Sequence, residues 1–110
     1  MTLMADSVKI FYAKQAAGKI KKEIEQAGLD NLKILAERNI SIVGTYLNGC
    51  SKEKKAVIKR DLSALLSMGV TIDMLLEQLG KKIPELAPFM LGREAYKRSE
   101  IQEIDRFLKS

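Results

Sequence analysis

The 110-residue chain has no histidine and no tryptophan, a single cysteine, and two prolines that fall close together. The missing histidine removes the usual acid–base group near neutral pH. With it go every Cys–His pair and every zinc motif that needs an imidazole. The phosphate-binding pattern G-x-x-x-x-G-K-[ST] is missing as well, since Gly18-Lys19 follows Ala16-Ala17 and precedes Ile20. The carboxylates form no cluster on a clearly apolar face, and Glu100 and Glu103, three apart, read as part of a solvated helix surface. These absences argue against an enzyme and imply no catalytic residues, no cofactor and no metal.

Cys50, alone, excludes an internal disulfide and suits a reducing compartment. No apolar run approaches the roughly 18 residues a membrane span needs. The N-terminus has no secretory h-region, because Asp6 comes early and Ile10–Ala13 is too short. The expectation is a cytoplasmic protein with no membrane contact. Aromatic residues make up 5% of the chain.

The remaining composition is that of one globular domain over residues 1–110, with a loose tail over 1–6. Apolar residues are 46% and charged residues 30%, with 19 basic against 14 acidic side chains and a net charge of +5. A surplus of that size permits an anionic partner without demanding one. Leu, Ile, Lys, Glu and Ala dominate, which are mostly good helix formers.

The apolar residues recur with helical spacing. Ile10, Ala13, Ala17, Ile20, Ile24 and Ala27 alternate steps of three and four, so a helix is predicted to Ala27 with one apolar stripe. Asp6 or Ser7 is its expected cap. Asn31–Asn48 reads as one helix weakened near Gly44 by β-branched residues. Lys52–Met68 and Ile72–Leu79 follow, the latter ending at Gly80. Pro84 and Pro88 then break the chain into irregular structure or one short turn. A last helix is expected from Ser99, with Gln102 completing a capping box, and Arg93–Arg98 add a preceding turn or a separate short helix.

A three-residue pattern of glycine, apolar residue and capping residue marks three joints: Gly28-Leu29-Asp30, Gly49-Cys50-Ser51 and Gly69-Val70-Thr71. Glycine supplies the left-handed C′ residue, the apolar residue folds back onto the helix, and the third caps the next helix. The fold class is therefore all-α, a compact bundle of five or six short helices joined by such turns. The sequences between the joints are not alike, which favours a bundle over a repeat protein.

Two stretches bear on function. Lys52, Lys54, Lys55, Lys59 and Arg60 stand against Glu53 alone between Ser51 and Arg60. They lie early in their helix, where the macrodipole disfavours cations. The cluster suits an acidic protein surface or phosphate, but no aromatic residue interleaves it as a stacking platform for single strands would need. The second stretch, Ile83–Leu91, offers Phe89 and Met90 to a partner or as a lid on the bundle.

The Leu62–Leu79 region has the outline of a helix-turn-helix around Gly69. Its second helix begins with Thr71-Ile72-Asp73-Met74, and only Gln78 suits base reading. By elimination, the expected role is a small protein-interaction module: a regulator, an adaptor or a toxin-neutralising immunity-type protein. It would bind an acidic protein through Lys52, Lys54, Lys55, Lys59, Arg60, Phe89 and Met90. The alternative is a nucleic-acid-binding regulator of helix-turn-helix type. A third expectation is a homo-oligomer formed through the stripe of the first helix.

Overall fold

The computed structural model describes residues 5–110, and among these every regular element is helical. There are seven α-helices: α1 (Asp6–Ala27), α2 (Leu29–Glu37), α3 (Ile42–Gly49), α4 (Lys52–Ser67), α5 (Ile72–Lys82), α6 (Ala87–Met90) and α7 (Glu94–Lys109). A 3-10 turn over Pro84–Leu86 precedes α6. The radius of gyration is 13.3 Å, against about 13 Å for a compact domain of this length. Of the tail expected over residues 1–6, residues 1–4 lie outside the described residues, and Asp6 is already in α1.

The count exceeds five or six because the expected Asn31–Asn48 helix is two. It breaks at Asn39-Ile40-Ser41, where Asn39 takes φ 59°. Its amide bonds Ala36 O at 2.9 Å, and the Ile40 amide bonds Leu35 O at 2.9 Å. Ser41 then caps α3 by accepting from the Gly44 amide at 2.8 Å. The joint at Gly69-Val70-Thr71 has the same construction. Gly69 has φ 97°, its amide bonds Leu66 O at 3.1 Å, and the Val70 amide bonds Leu65 O at 3.0 Å. Thr71 accepts from the Met74 amide at 3.1 Å. Asparagine is the residue other than glycine that most readily enters the left-handed region, because its short side chain bonds locally.

The other two joints are built differently. Gly28 does have φ 97°, but Leu29 already opens α2 and Asp30 makes no capping bond. Gly49 is helical, and it is Cys50, with φ −74° and ψ 158°, that ends α3. Ser51 caps α4 as expected, accepting from the Lys54 amide at 3.2 Å. Cys50 is half-buried and its thiol donates to Tyr46 O at 3.3 Å.

The core lies where α5 runs along α1, with α7, α3 and α6 closing around them. Ala13 and Ala17 of α1 are fully buried, as are Leu76 and Leu79 of α5. The alanines leave room for α5 to lie close. Ile10 and Ala27, at the ends of the predicted stripe, are exposed. Gly80 does not stop α5. A Cβ there would come within 3.0 Å of Leu91 and 3.2 Å of Met90, so its hydrogen is what lets the α6 end settle on α5. The helix stops instead at Ile83, held extended (φ −121°, ψ 88°) ahead of Pro84. Gly18, by contrast, has nothing within 4 Å of a Cβ position and is simply a tolerated surface glycine.

Candidate interaction groove

Two helical stripes face each other across an open groove. From α1 come Tyr12, Gln15, Ala16, Lys19, Ile20 and Glu23. From α4 come Lys54, Val57, Ile58, Asp61, Leu62, Ala64, Leu65 and Met68, and Tyr46 of α3 completes the lining. Both sets step by three and four, as residues on one helical face must. The helices run antiparallel. At one end Lys54 Nζ bridges to Glu23 Oε1 at 2.6 Å, and at the other the Lys9 stem lies over Gly69.

The groove has a volume of about 560 Å³, within the size range of ligand and peptide sites. Its floor is aliphatic, with Leu62 and Ile20 buried, while Val57 at its lip is 47% exposed and Met68 37% exposed. Lys54 also lies over the Tyr46 ring, 5.9 Å from its centroid. The Glu23 carboxylate raises the Lys54 pKa by stabilising the ammonium. Burial, with the Cys50 thiol beside it, pushes the Tyr46 phenol up.

The charge is unevenly placed among the helices. Helices α1 and α4 hold ten basic and five acidic residues, and the rest of the chain has nine of each. The whole net charge of +5 therefore sits on the two helices that frame the groove. Both carboxylates that line it already have partners, Glu23 with Lys54 and Asp61 with Arg60. Lys19, and Lys22 one turn further along α1, form no ion pair among the described residues.

Not all seven sequence-predicted contact residues come together. Lys54 lines the groove. Lys52 and Arg60 are exposed, and Lys55 is half-buried. Lys59 turns the other way, donating to the Ser110 carbonyl at the end of α7. Phe89 and Met90 are 8% and 1% exposed, so they belong to the core, with Phe89 edge-to-face on Tyr96 at 5.9 Å. They are the lid of the bundle, and only Leu91 of that segment is an exposed large apolar residue.

A second polar cluster is wholly internal, and it corrects the reading of the last helix. Because α7 starts at Glu94 and not at Ser99, Glu100 falls between Tyr96 and Ile104 on the apolar face and is 0% exposed. Its carboxylate accepts from the Ser41 hydroxyl, the Tyr96 hydroxyl, the Ile42 amide at 3.1 Å and the Val43 amide at 3.3 Å. It thereby satisfies the first amides of α3, which have no partner within their own helix. No cation pairs with it among the described residues, and desolvation raises its pKa against the pull of those four donors. The same burial and the adjacent carboxylate raise the Tyr96 phenol. With Ser41 and Tyr96 also buried, the cluster acts as a helix cap closed to substrate. The signal for it was the spacing Tyr96, Glu100, Ile104, which a helix started at Ser99 hides.

Among the described residues, no three acidic, cysteine or histidine side chains converge to hold a metal ion. No single described helix is long and apolar enough to cross a membrane. Compared with known proteins, the chain matches no family, no curated protein and no solved structure. The class defined by the fold is a small all-α protein with an open groove between two helices that are basic as wholes.

Proposed function

We propose that this is a non-catalytic protein-interaction module, a small regulator, adaptor or immunity-type protein that binds an acidic protein partner along the α1–α4 groove. One observation carries the reading: an open aliphatic groove lies between the two helices that hold the entire net charge. Exposed apolar surface rimmed by charge is characteristic of interaction sites, and surplus charge of one sign steers a partner of the other. Lys54 of α4 and Lys19 of α1 line the groove, and Lys52, Lys55, Arg60 and Lys22 lie elsewhere on the same two helices.

The helix-turn-helix reading has one feature in its favour. The axes of α4 and α5 turn by 113° across the Gly69 joint, inside the range of that motif. Its side chains argue the other way. Gln78 is 5% exposed, α5 is a core helix, and its exposed Glu77 and Asp73 hold Lys81 and Lys97 in ion pairs that phosphate would have to break.

The test is photo-crosslinking from a diazirine residue placed at Val57, inside the groove, with one at Ile34 on α2 as control. A protein adduct formed from Val57 alone, unchanged by nuclease, is the expected result. Adducts that vanish with nuclease would move the assignment to nucleic acid. Equal labelling from both positions, or none from Val57, would sink the proposal.

A further inference from the structure

Resting on that reading, we infer that the occupant of the groove is an acidic amphipathic α-helix of the partner, three to four turns long, whose carboxylates displace Glu23 from Lys54. The length follows from the walls. The α4 stripe from Lys54 to Met68 spans roughly 21 Å and the α1 stripe from Tyr12 to Glu23 roughly 16 Å at 1.5 Å per residue. A trough of that length between two helices fits a third helix laid alongside them, its apolar residues at i, i+3, i+4 and i+7 seated on the floor. Extended peptides are held chiefly by main-chain bonds to a sheet edge, and the described residues contain no strand.

The charge selects the sign of the guest. Lys19 and Lys22 lack ion-pair partners among the described residues, whereas both lining carboxylates are already paired. A second copy of the chain is a poor occupant, since it brings the same net charge of +5. Nucleic acid finds a mostly aliphatic floor between Tyr12 and Tyr46, where stacking would need aromatic faces in series. The Glu23–Lys54 bridge, at 2.6 Å, closes one end of the trough. Glu23 thus stands where a partner carboxylate would bind, and releasing it frees Lys54.

The experiment selects a phage-displayed library of random peptides, roughly 14 residues long to match the α4 wall, on the intact chain. Selected peptides are then measured by fluorescence anisotropy against variants. The expected winners carry helical apolar spacing and net negative charge, and lose binding to Ala16→Trp, which fills the floor. Val57→Glu, at an exposed position, serves the same purpose if Ala16→Trp fails to fold. Glu23→Gln is expected to tighten binding and Lys54→Gln to weaken it, each by about two- to fivefold, the range of an exposed ion pair.

Failure to enrich any sequence, winners that are basic or lack helical spacing, or tighter binding by Lys54→Gln would each overturn the inference. The two proposals fail separately. A nuclease-resistant protein adduct at Val57 whose labelled segment is basic or non-helical removes the helix and leaves the groove, whereas loss of the Val57 adduct removes both.

Discussion

Replacing Glu100 by alanine should come close to unfolding the protein. The substitution leaves four donors without their acceptor: the hydroxyls of Ser41 and Tyr96 and the amides of Ile42 and Val43. Ser41 and Tyr96 are 3% and 0% exposed, so water does not reach them without rearrangement. Each buried, unsatisfied group costs about 1–3 kcal/mol. Even at the lower end, with some water entering the vacated space, the sum is roughly 4 kcal/mol. A domain of this length has about 5–15 kcal/mol in total.

Glu100→Gln separates charge from shape. Its carbonyl still accepts from Ile42, Val43 and Tyr96, while its amide faces the Ser41 oxygen, so a loss of about 1 kcal/mol is expected. The two variants also divide in pH. Burial raises the Glu100 pKa above its ordinary 4.5, so the folded state holds this proton more tightly than the unfolded chain. The wild type should be most stable relative to Glu100→Gln below pH 4.5, and that advantage should fall as pH rises through the folded value. Urea unfolding followed by far-ultraviolet circular dichroism, repeated between about pH 4 and pH 8, measures both effects. A loss below about 1 kcal/mol for Glu100→Ala, or a flat difference between wild type and Glu100→Gln across that range, would refute the reasoning.

Three glycines give contrasting expectations in the same assay. Gly18→Ala has open space around it and should stabilise the chain by about 0.5–1 kcal/mol through helix propensity. Gly44→Ala puts a Cβ 2.7 Å from both Glu103 Cβ and Ser41 Oγ, so it should cost about 1–3 kcal/mol by forcing α3 away from α7. Gly69→Ala, at φ 97°, should cost about 1–2 kcal/mol of backbone strain, since the Lys9 side chain above it is free to swing aside. A stabilised Gly44→Ala or Gly69→Ala would show that the joint or the α3–α7 contact is looser than described.

The helical class, the course of α1 and the caps at Ser51 and Thr71 were legible because they depend on local spacing and local bonds. The break at Asn39 was not. Its neighbours Ile40 and Ile42 suggested a weak helix, while the deciding property, a left-handed backbone stabilised by bonds back to Leu35 and Ala36, is one that glycine advertises and asparagine does not. Glu100 was hidden for a different reason. A carboxylate on an apolar stripe makes sense only when another helix end 58 residues away brings amides to it. The groove is also a tertiary fact. The lysines of α4 were visible in sequence, but the pairing of Ala16, Val57 and Met68 across a trough depends on α1 and α4 lying antiparallel. The same packing turned Phe89 and Met90 inward.

The first amides of a helix are usually among the first to exchange with solvent, because nothing holds them. Here those of Ile42 and Val43 are held by a side chain from α7. Their deuterium uptake therefore reports on whether α7 is seated, and α3 cannot fray at its start while α7 stays docked. The two helices are therefore expected to open as one cooperative unit, although α4, α5 and α6 lie between them in the sequence.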